Sequence, residues 1–304
     1  MTNRAASSPV HGPDFLIIGA ARTGTGWLWS NLRRHPQVWT PQVKELHYFD
    51  RSREYPSTSF LAPRSPIERM RARDYRRKFL RQFRTDLSRR KWDLVRWDFA
   101  YFLGRCDDDW YRSLFAPGEG RVRGEATPAY AILDAPDVER IATLFPCLRV
   151  VFVLRNPIER AWSHLRYRYG PAIRAGRMSI AAMCEFVDSP GQALRADYSR
   201  TIEIWSRYLS DRRLHVAFYD DLAADPGRFF ECVCNHLGVD PGLLAPSDLS
   251  PALNAGLAAP IPPDLQRHLA RRYHEPIMRL SDTYGAPPSQ WLRSVEAICH
   301  DAAN

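Results

Sequence analysis

A short apolar run, a glycine-punctuated loop and a helix-forming segment, in that order, constrain this chain more than any other feature. Phe15, Leu16, Ile17 and Ile18 read as a buried parallel strand, ended by Gly19. Ala20, Ala21, Arg22, Thr23, Gly24, Thr25, Gly26 and Trp27 follow, and the pattern predicts a helix over 25–34 that stops at His35-Pro36. Backbone N–H groups at a helix start are unpaired and carry partial positive charge, so this junction is a ready anion site. Glycines let the backbone approach a ligand closely. Arg22 adds a full charge and a fork of donors. The loop 19–27 therefore reads as a phosphate cradle; the plain alternative is a tight turn between strand and helix.

Laid on the nucleoside-triphosphatase pattern GxxxxGK[ST], the loop matches at Gly19 and Gly24 and fails where metal chemistry is decided. Thr25 stands at the lysine position and Gly26 at the Mg²⁺-binding hydroxyl. A P-loop phosphotransferase or kinase would need that hydroxyl and an acid at a strand end, for which Asp220 is a weak candidate. The predicted ligand is phosphate-bearing but not a metal-bound triphosphate.

Strands and helices alternate along most of the chain. Strands are expected at 121–127, 150–154 and 215–219. Helices are expected at 136–145, from Asn156-Pro157 onward, at 179–187, 198–209 and 226–237, and near 264–282, ending at Tyr284-Gly285. A Pro-rich loop spans 241–263. This order predicts an α/β three-layer sandwich around a central parallel sheet. The 304 residues, 45% of them apolar, suffice for one large core. We read 1–13 as a flexible N-terminus and 14–304 as one domain.

Within that domain, 51–105 is rich in arginine and aromatics. Tyr75, Phe79 and Phe83 recur at helical spacing with Arg and Lys between them. The segment reads as a basic helical insertion: a solvated helix with an aromatic seam, a flap over the site, or a surface for an acidic substrate. The net charge of +9 favours an anionic partner without naming it. A basic nucleic-acid-binding module is one alternative, resting on residues 64–97.

The six cysteines, including Cys232 and Cys234 two apart on an expected helix, read as free core thiols of a reducing compartment. The first residues lack the apolar stretch of a signal peptide, and no apolar run reaches the roughly 20 residues of a membrane span. A cytoplasmic protein without a membrane span is expected. Oligomeric state has no signature here.

A second anion-binding candidate follows the strongest strand. Arg155 stands at the carboxyl end of 150–154, where open α/β sheets bind ligands. Ser163 lies about two helical turns on, so its hydroxyl can face the same edge. Taken alone, an arginine there is more often a surface ion pair.

Together these motifs resemble those of sulfotransferases that use 3′-phosphoadenosine 5′-phosphosulfate (PAPS), in particular the branch of heparan sulfate N- and 3-O-sulfotransferases and bacterial relatives. The loop 19–27 is similar to that family's GxxKxGTT motif, with Arg22 in the lysine's place and Gly26 in that of the second threonine. The resemblance implies that Arg22, Thr23, Gly24, Thr25, Gly26 and Trp27 cradle the 5′-phosphosulfate, and that Arg155 and Ser163 hold the 3′-phosphate. Lys44, Glu45, Leu46, His47, Tyr48 and Phe49 resemble a KExxxF stretch, which implies that Glu45 removes the acceptor's proton. His47, whose unperturbed pKa lies near working pH, is a rival base. Lys44, His47 and Glu125 are implied to contact substrate.

The implied fold is the α/β sulfotransferase sandwich. The implied activity is metal-independent in-line sulfuryl transfer from PAPS to a hydroxyl or amine, leaving adenosine 3′,5′-bisphosphate. The acceptor is left open among glycan, lipid and small molecule, with no nucleic acid expected. The likeness covers roughly 14–50 and 106–292, including the GEATPAY stretch at 124–130 and Tyr219-Asp220-Asp221-Leu222. It departs where relatives carry a lysine, here Ala126. It also departs at a basic loop whose counterpart here, Asn254, Ala255, Gly256 and Leu257, is uncharged.

Overall fold

The computed structural model describes residues 12–57, 61, 65–210, 212–251 and 259–301. Among them, β1 (Phe15–Gly19), β2 (Val38–Trp39), β3 (Val122–Ala126), β4 (Arg149–Leu154) and β5 (Leu214–Phe218) form a sheet in the order β2-β3-β1-β4-β5. Every pair is parallel.

Alternation along the central strands builds two cores at once. Leu16 and Ile18 of β1 enter one core, with Val150, Phe152 and Leu154 of β4. Phe15 and Ile17 enter the other, with Val151 and Val153. A strand with side-chain period two, covered on both faces, has to be apolar throughout. Each such buried side chain contributes about 1.5–3 kcal/mol. Strand packing also fixes a glycine: Phe15 pairs with Gly124, and a Cβ there would lie 2.4 Å from the Phe15 ring.

In chain order the helices are α1 (Thr25–Leu32), α2 (Pro66–Arg71), α3 (Arg73–Ser88), α4 (Trp92–Leu103), α5 (Asp108–Ser113), α6 (Ala135–Leu144), α7 (Pro157–Arg174), α8 (Ile180–Asp188), α9 (Pro190–Ala196), α10 (Tyr198–Tyr208), α11 (Tyr219–Ala224), α12 (Pro226–Leu237), α13 (Pro263–Tyr284) and α14 (Pro288–Asp301). Helices α1 and α12 cover one face of the sheet through Trp27, Leu28, Leu32, Phe229, Phe230 and Val233. Residues of α6, α7, α10, α13 and α14 pack on the other. The expected three-layer α/β architecture is the observed one.

Differences from expectation are local. Helix α1 ends at Leu32, two residues early. The edge strand β2 was not foreseen, because two residues cannot show an alternation. Helix α7 loses helical geometry at Tyr169, two residues before Pro171, where the ring of a proline disturbs the preceding turn. In the basic segment, Tyr75 and Phe79 of α3 and Trp97, Tyr101 and Phe102 of α4 join the larger core, and the Phe79 and Phe102 rings lie 5.1 Å apart. Arg73, Arg76, Arg77, Arg81 and Arg84 are exposed along α3.

The cysteines need a correction. Only Cys106 and Cys234 are buried, whereas Cys147 and Cys232 are exposed and Cys184 and Cys299 lie between. Positions two apart on a helix face about 200° away from each other, so α12 buries Cys234 and exposes Cys232. Among the described residues, no helix is long and apolar enough to cross a membrane. The expected uncharged loop at Asn254, Ala255, Gly256 and Leu257 lies outside the described residues, as do residues 1–11 of the expected flexible terminus.

Candidate active site

A parallel sheet puts the carboxyl ends of all its strands at one edge. Here β1 leads into the loop 19–27, β3 into Thr127, and β4 into Arg155. The strand order turns back at β1, which is where open α/β sheets leave a ligand crevice.

The glycine-rich loop is held from below by its own side chains. Thr23 is fully buried and donates its hydroxyl to the Ala20 carbonyl at 2.8 Å. Thr25 is buried. Trp27 packs edge-on against Phe229 and Phe230 at 6.2 and 6.3 Å and donates its indole N–H to the Ser250 carbonyl at 2.7 Å. The Trp27 side chain is therefore a core anchor, which leaves its backbone N–H in the first turn of α1 as the part of Trp27 open to a ligand. The N–H groups of the first turn of α1 remain as the loop's donors. Arg22 adopts the left-handed region with φ 76°, a conformation that costs a non-glycine residue about 1–3 kcal/mol and tends to mark functional sites.

Gly24, the N-cap residue of α1, has φ 86°, and a Cβ there would lie 2.5 Å from Leu222 Cδ2. Around Gly26 a Cβ would meet nothing within 4 Å. We expect Gly24→Ala to lower unfolding free energy by about 1–3 kcal/mol in denaturant titration, and Gly26→Ala to change it by less than about 1 kcal/mol.

Above the loop stand three guanidinium groups. Arg22 Nε donates to Ser163 Oγ at 3.3 Å, and its guanidinium lies over the Tyr167 ring at 4.5 Å. Arg155 Nη1 donates to the Arg22 carbonyl at 3.4 Å, and its guanidinium lies over the Tyr219 ring at 4.4 Å. Arg155 also pairs with Glu159 at 2.9 Å, and its own carbonyl accepts the Tyr198 hydroxyl at 3.0 Å. Burial lowers the pKa of Arg22, and the charges of Arg155 and Arg166 push the same way. Burial also lowers that of Arg166, again with Arg155 adding to it. Positive charge so concentrated attracts a multiply charged anion. Arg166 and Tyr167 were not singled out from the sequence. Their signal was spacing: three and four residues after Ser163, they share its helix face.

The loop after β2 carries a different cluster. Lys44 Nζ lies 2.6 Å from Glu45 Oε1, and His47 Nε2 lies 3.5 Å from Glu45 Oε2. On its other side His47 Nδ1 meets the buried Asp50 carboxylate at 2.7 Å. Burial opposes ionisation of Glu45, yet the hydrogen bonds from His47 and Lys44 outweigh it and hold the carboxyl down at about 2. Burial likewise opposes charge on His47, but Asp50 and Glu45 raise it to about 9. At neutral pH Glu45 is a carboxylate and His47 an imidazolium. An imidazolium donates from both nitrogens and cannot take a proton, so of the two only Glu45 is free to accept one. Glu45 is also the most open of the three, with 42% of its side-chain surface exposed against 24% for Lys44 and 17% for His47.

Helix α3 reaches this cluster. Gln82 donates to Gln42 Oε1 at 2.9 Å, which lays one face of α3 along the chain leading to Glu45. Lys78 is one turn earlier on that face; burial lowers its pKa and the Glu45 charge opposes the drop. Sequence reading missed Lys78 because no motif covers 51–105.

Glu125, expected to meet substrate, is instead enclosed by the protein's own donors. It is buried, with Oε1 accepting from the Tyr111 and Tyr130 hydroxyls at 2.5 and 3.0 Å, and Oε2 accepting from Thr127 Oγ1 at 2.6 Å and the Leu46 N–H at 3.3 Å. A carboxylate offers about four lone-pair directions, and protein donors fill them. The structure thus groups Arg22, Arg155 and Ser163, groups Lys44, Glu45 and His47, and places Glu125 beneath the second group.

A family model described as the sulfotransferase family matches residues 13–241. Among curated proteins, the chain is similar to heparan sulfate glucosamine 3-O-sulfotransferase 6 of Homo sapiens, with 28% identity over 150 residues, 46% of this chain and 43% of the human protein. The match thus spans less than half the length of that relative. Among solved structures, the fold is similar to that of a sulfotransferase from Alicyclobacillus acidocaldarius. The TM-score is 0.60 at 22% identity, covering 92% of this chain and 98% of the other.

Proposed function

The chain belongs to the sulfotransferase family, and on that premise we propose that it moves a sulfuryl group from PAPS to a hydroxyl or amine acceptor by in-line displacement without a metal. The observation that carries this reading is the Arg22–Ser163 contact at 3.3 Å beside Arg155. It joins the loop before α1 to α7, the helix that follows β4 and Arg155, so one ligand bearing phosphate at two positions can satisfy both.

The donor supplies an activated S–O bond whose leaving group is a phosphate. The loop N–H groups and Arg22 would hold that phosphate, and Arg155 and Ser163 would hold the 3′-phosphate and fix the donor's position. Arg22 stabilises the charge that develops on the departing oxygen, the task a metal has elsewhere. Glu45 accepts the proton of the acceptor O–H or N–H as the new bond to sulfur forms. His47, held by Asp50, and Lys44 keep Glu45 ionised and aimed. The balance is donor plus acceptor giving sulfated acceptor, adenosine 3′,5′-bisphosphate and one proton.

Residues 14–304 would act as one domain, in which the insertion 51–105 brings Lys78 to the acceptor side. The cysteines, two of them exposed and unpaired, fit a reducing compartment and support a cytoplasmic location. The acceptor is proposed only as a class: glycan, lipid or small molecule. A phosphotransferase is disfavoured because Asp220, its candidate acid, already accepts from Trp291 Nε1 at 2.9 Å.

The test is transfer of radiolabel from ³⁵S-PAPS to a panel of phenols, amines and glycans, with and without EDTA. We expect at least one labelled product, insensitive to EDTA. Label retained in the donor across the panel, alongside consumption of ATP with Mg²⁺, would contradict the proposal.

A further inference from the structure

Glu45 and His47 both have positive φ, 64° and 55°. The residues between and after them, Leu46 and Tyr48, are fully buried. That arrangement turns 45 and 47 toward each other at the surface while 46 and 48 plug the core. Left-handed backbone at two non-glycine residues so close together is unfavourable unless neighbouring structure fixes it.

The fixing contacts all come from one short stretch of chain. The Glu45 N–H donates to the Ala126 carbonyl at 3.1 Å. The Leu46 N–H donates to Glu125 Oε2 at 3.3 Å. The Tyr48 N–H donates to the Tyr130 hydroxyl at 3.1 Å, and that hydroxyl in turn donates to Glu125 Oε1. Two of the three anchors therefore run through Glu125, one directly and one through Tyr130. Glu125 itself cannot drift, since it lies on β3 opposite Leu16 of the central strand. Tyr111 and Thr127 hold its remaining positions.

We propose that Glu125 is a positioning residue: it clamps the loop 44–48 so that Glu45 and His47 meet and Glu45 is aimed at the acceptor. This rests on the proposed role of Glu45, and it gives a reason for a carboxylate buried in the sheet with protein donors on both oxygens. Glutamine at 125 keeps the shape but places an NH₂ among donors. Either way round, one anchor is disturbed: with its oxygen toward the Tyr hydroxyls the NH₂ opposes the Leu46 N–H, and with its oxygen toward Leu46 the NH₂ meets the Tyr130 hydroxyl, which loses its acceptor while holding the Tyr48 N–H.

The test compares wild type, Glu125→Gln and Tyr130→Phe. The primary readout is the His47 imidazole titration, followed by NMR on histidine-labelled protein and assigned through His47→Asn. Among the described residues, Asp50 and Glu45 act on that ring directly, Lys44 and Lys78 act on Glu45, and Arg195 acts on Asp50. A calorimetric titration with adenosine 3′,5′-bisphosphate runs in parallel. We expect Glu125→Gln to move the His47 midpoint down by at least one pH unit and to lower kcat of sulfuryl transfer at least tenfold. We expect bisphosphate Kd to stay within threefold. Tyr130→Phe should shift the midpoint in the same direction by less. An unchanged His47 midpoint in a folded Glu125→Gln protein would overturn the proposal. If Glu125→Gln fails to fold, an unchanged midpoint in Tyr130→Phe overturns it equally. A wild type that does not bind the bisphosphate defeats the sulfotransferase reading but leaves the NMR comparison standing.

Discussion

Glu45→Gln is expected to lower kcat for sulfuryl transfer by about 10²–10⁴-fold, the usual worth of a positioned general base, while bisphosphate Kd stays within threefold. Glutamine keeps the length and polarity of the side chain and removes its capacity to take a proton. Steady-state kinetics and calorimetry separate the two effects. A Glu45→Gln enzyme retaining more than a tenth of wild-type kcat would remove Glu45 from the chemistry.

The same cluster sets a pH dependence. The folded pKa of Glu45 is depressed to about 2, so its ionised form and its stabilising contacts persist down to strong acid. That of His47 is raised to about 9, so its contribution is complete below its ordinary value near 6.5 and fades as pH rises through about 9. The cluster is fully formed between about pH 4.5 and 6.5, and at pH 7–8 the His47 contribution is only partly reduced. Both thermal stability and kcat/KM should therefore decline as pH rises through about 9. His47→Asn should lose that alkaline decline. A wild-type profile flat from pH 6 to 10 would contradict this account.

Arg22→Met is expected to lower kcat by about 10²–10³-fold, the range seen when one donor to a developing oxyanion is removed. It should also weaken bisphosphate binding by about tenfold, the loss of a charge-assisted hydrogen bond. Arg22→Lys should fall between. It keeps a cation but not the planar group that stacks on Tyr167 while donating to Ser163. Arg22→Met activity within threefold of wild type would place the departing charge elsewhere. Equal losses in Arg22→Lys and Arg22→Met would instead show that planarity matters more than charge.

The part of the site made from backbone was legible in the sequence. A strand, Gly19, Gly24 and a helix start dictate where N–H groups point, whatever packs around them. Arg155 and Ser163 could be read because strand end and helix turn fix their spacing. Side-chain roles were less legible. Trp27 stands in the glycine-punctuated loop motif, yet it shares a helix face with the buried Asn31 and donates to Ser250 more than two hundred residues away. Glu125 reads as a substrate contact until the register puts it opposite Leu16. Lys78 depends on how α3 lies along the chain at Gln42, a tertiary contact with no local signature. β2 was invisible because its two residues take their strand geometry from β3. Chemistry carried by contiguous backbone can be read from one sequence; chemistry carried by long-range contacts becomes visible only once the fold is known.

The central claim is that the loop 19–27 and Arg155 together bind one nucleotide with phosphates at two positions. Calorimetric titration of the whole chain with adenosine 3′,5′-bisphosphate, and separately with ATP and Mg²⁺, tests it most directly. We predict one bisphosphate site per chain, weakened at least tenfold in Arg155→Ala and insensitive to EDTA, with ATP and Mg²⁺ binding far more weakly. Binding of ATP with Mg²⁺ and not of the bisphosphate would contradict it.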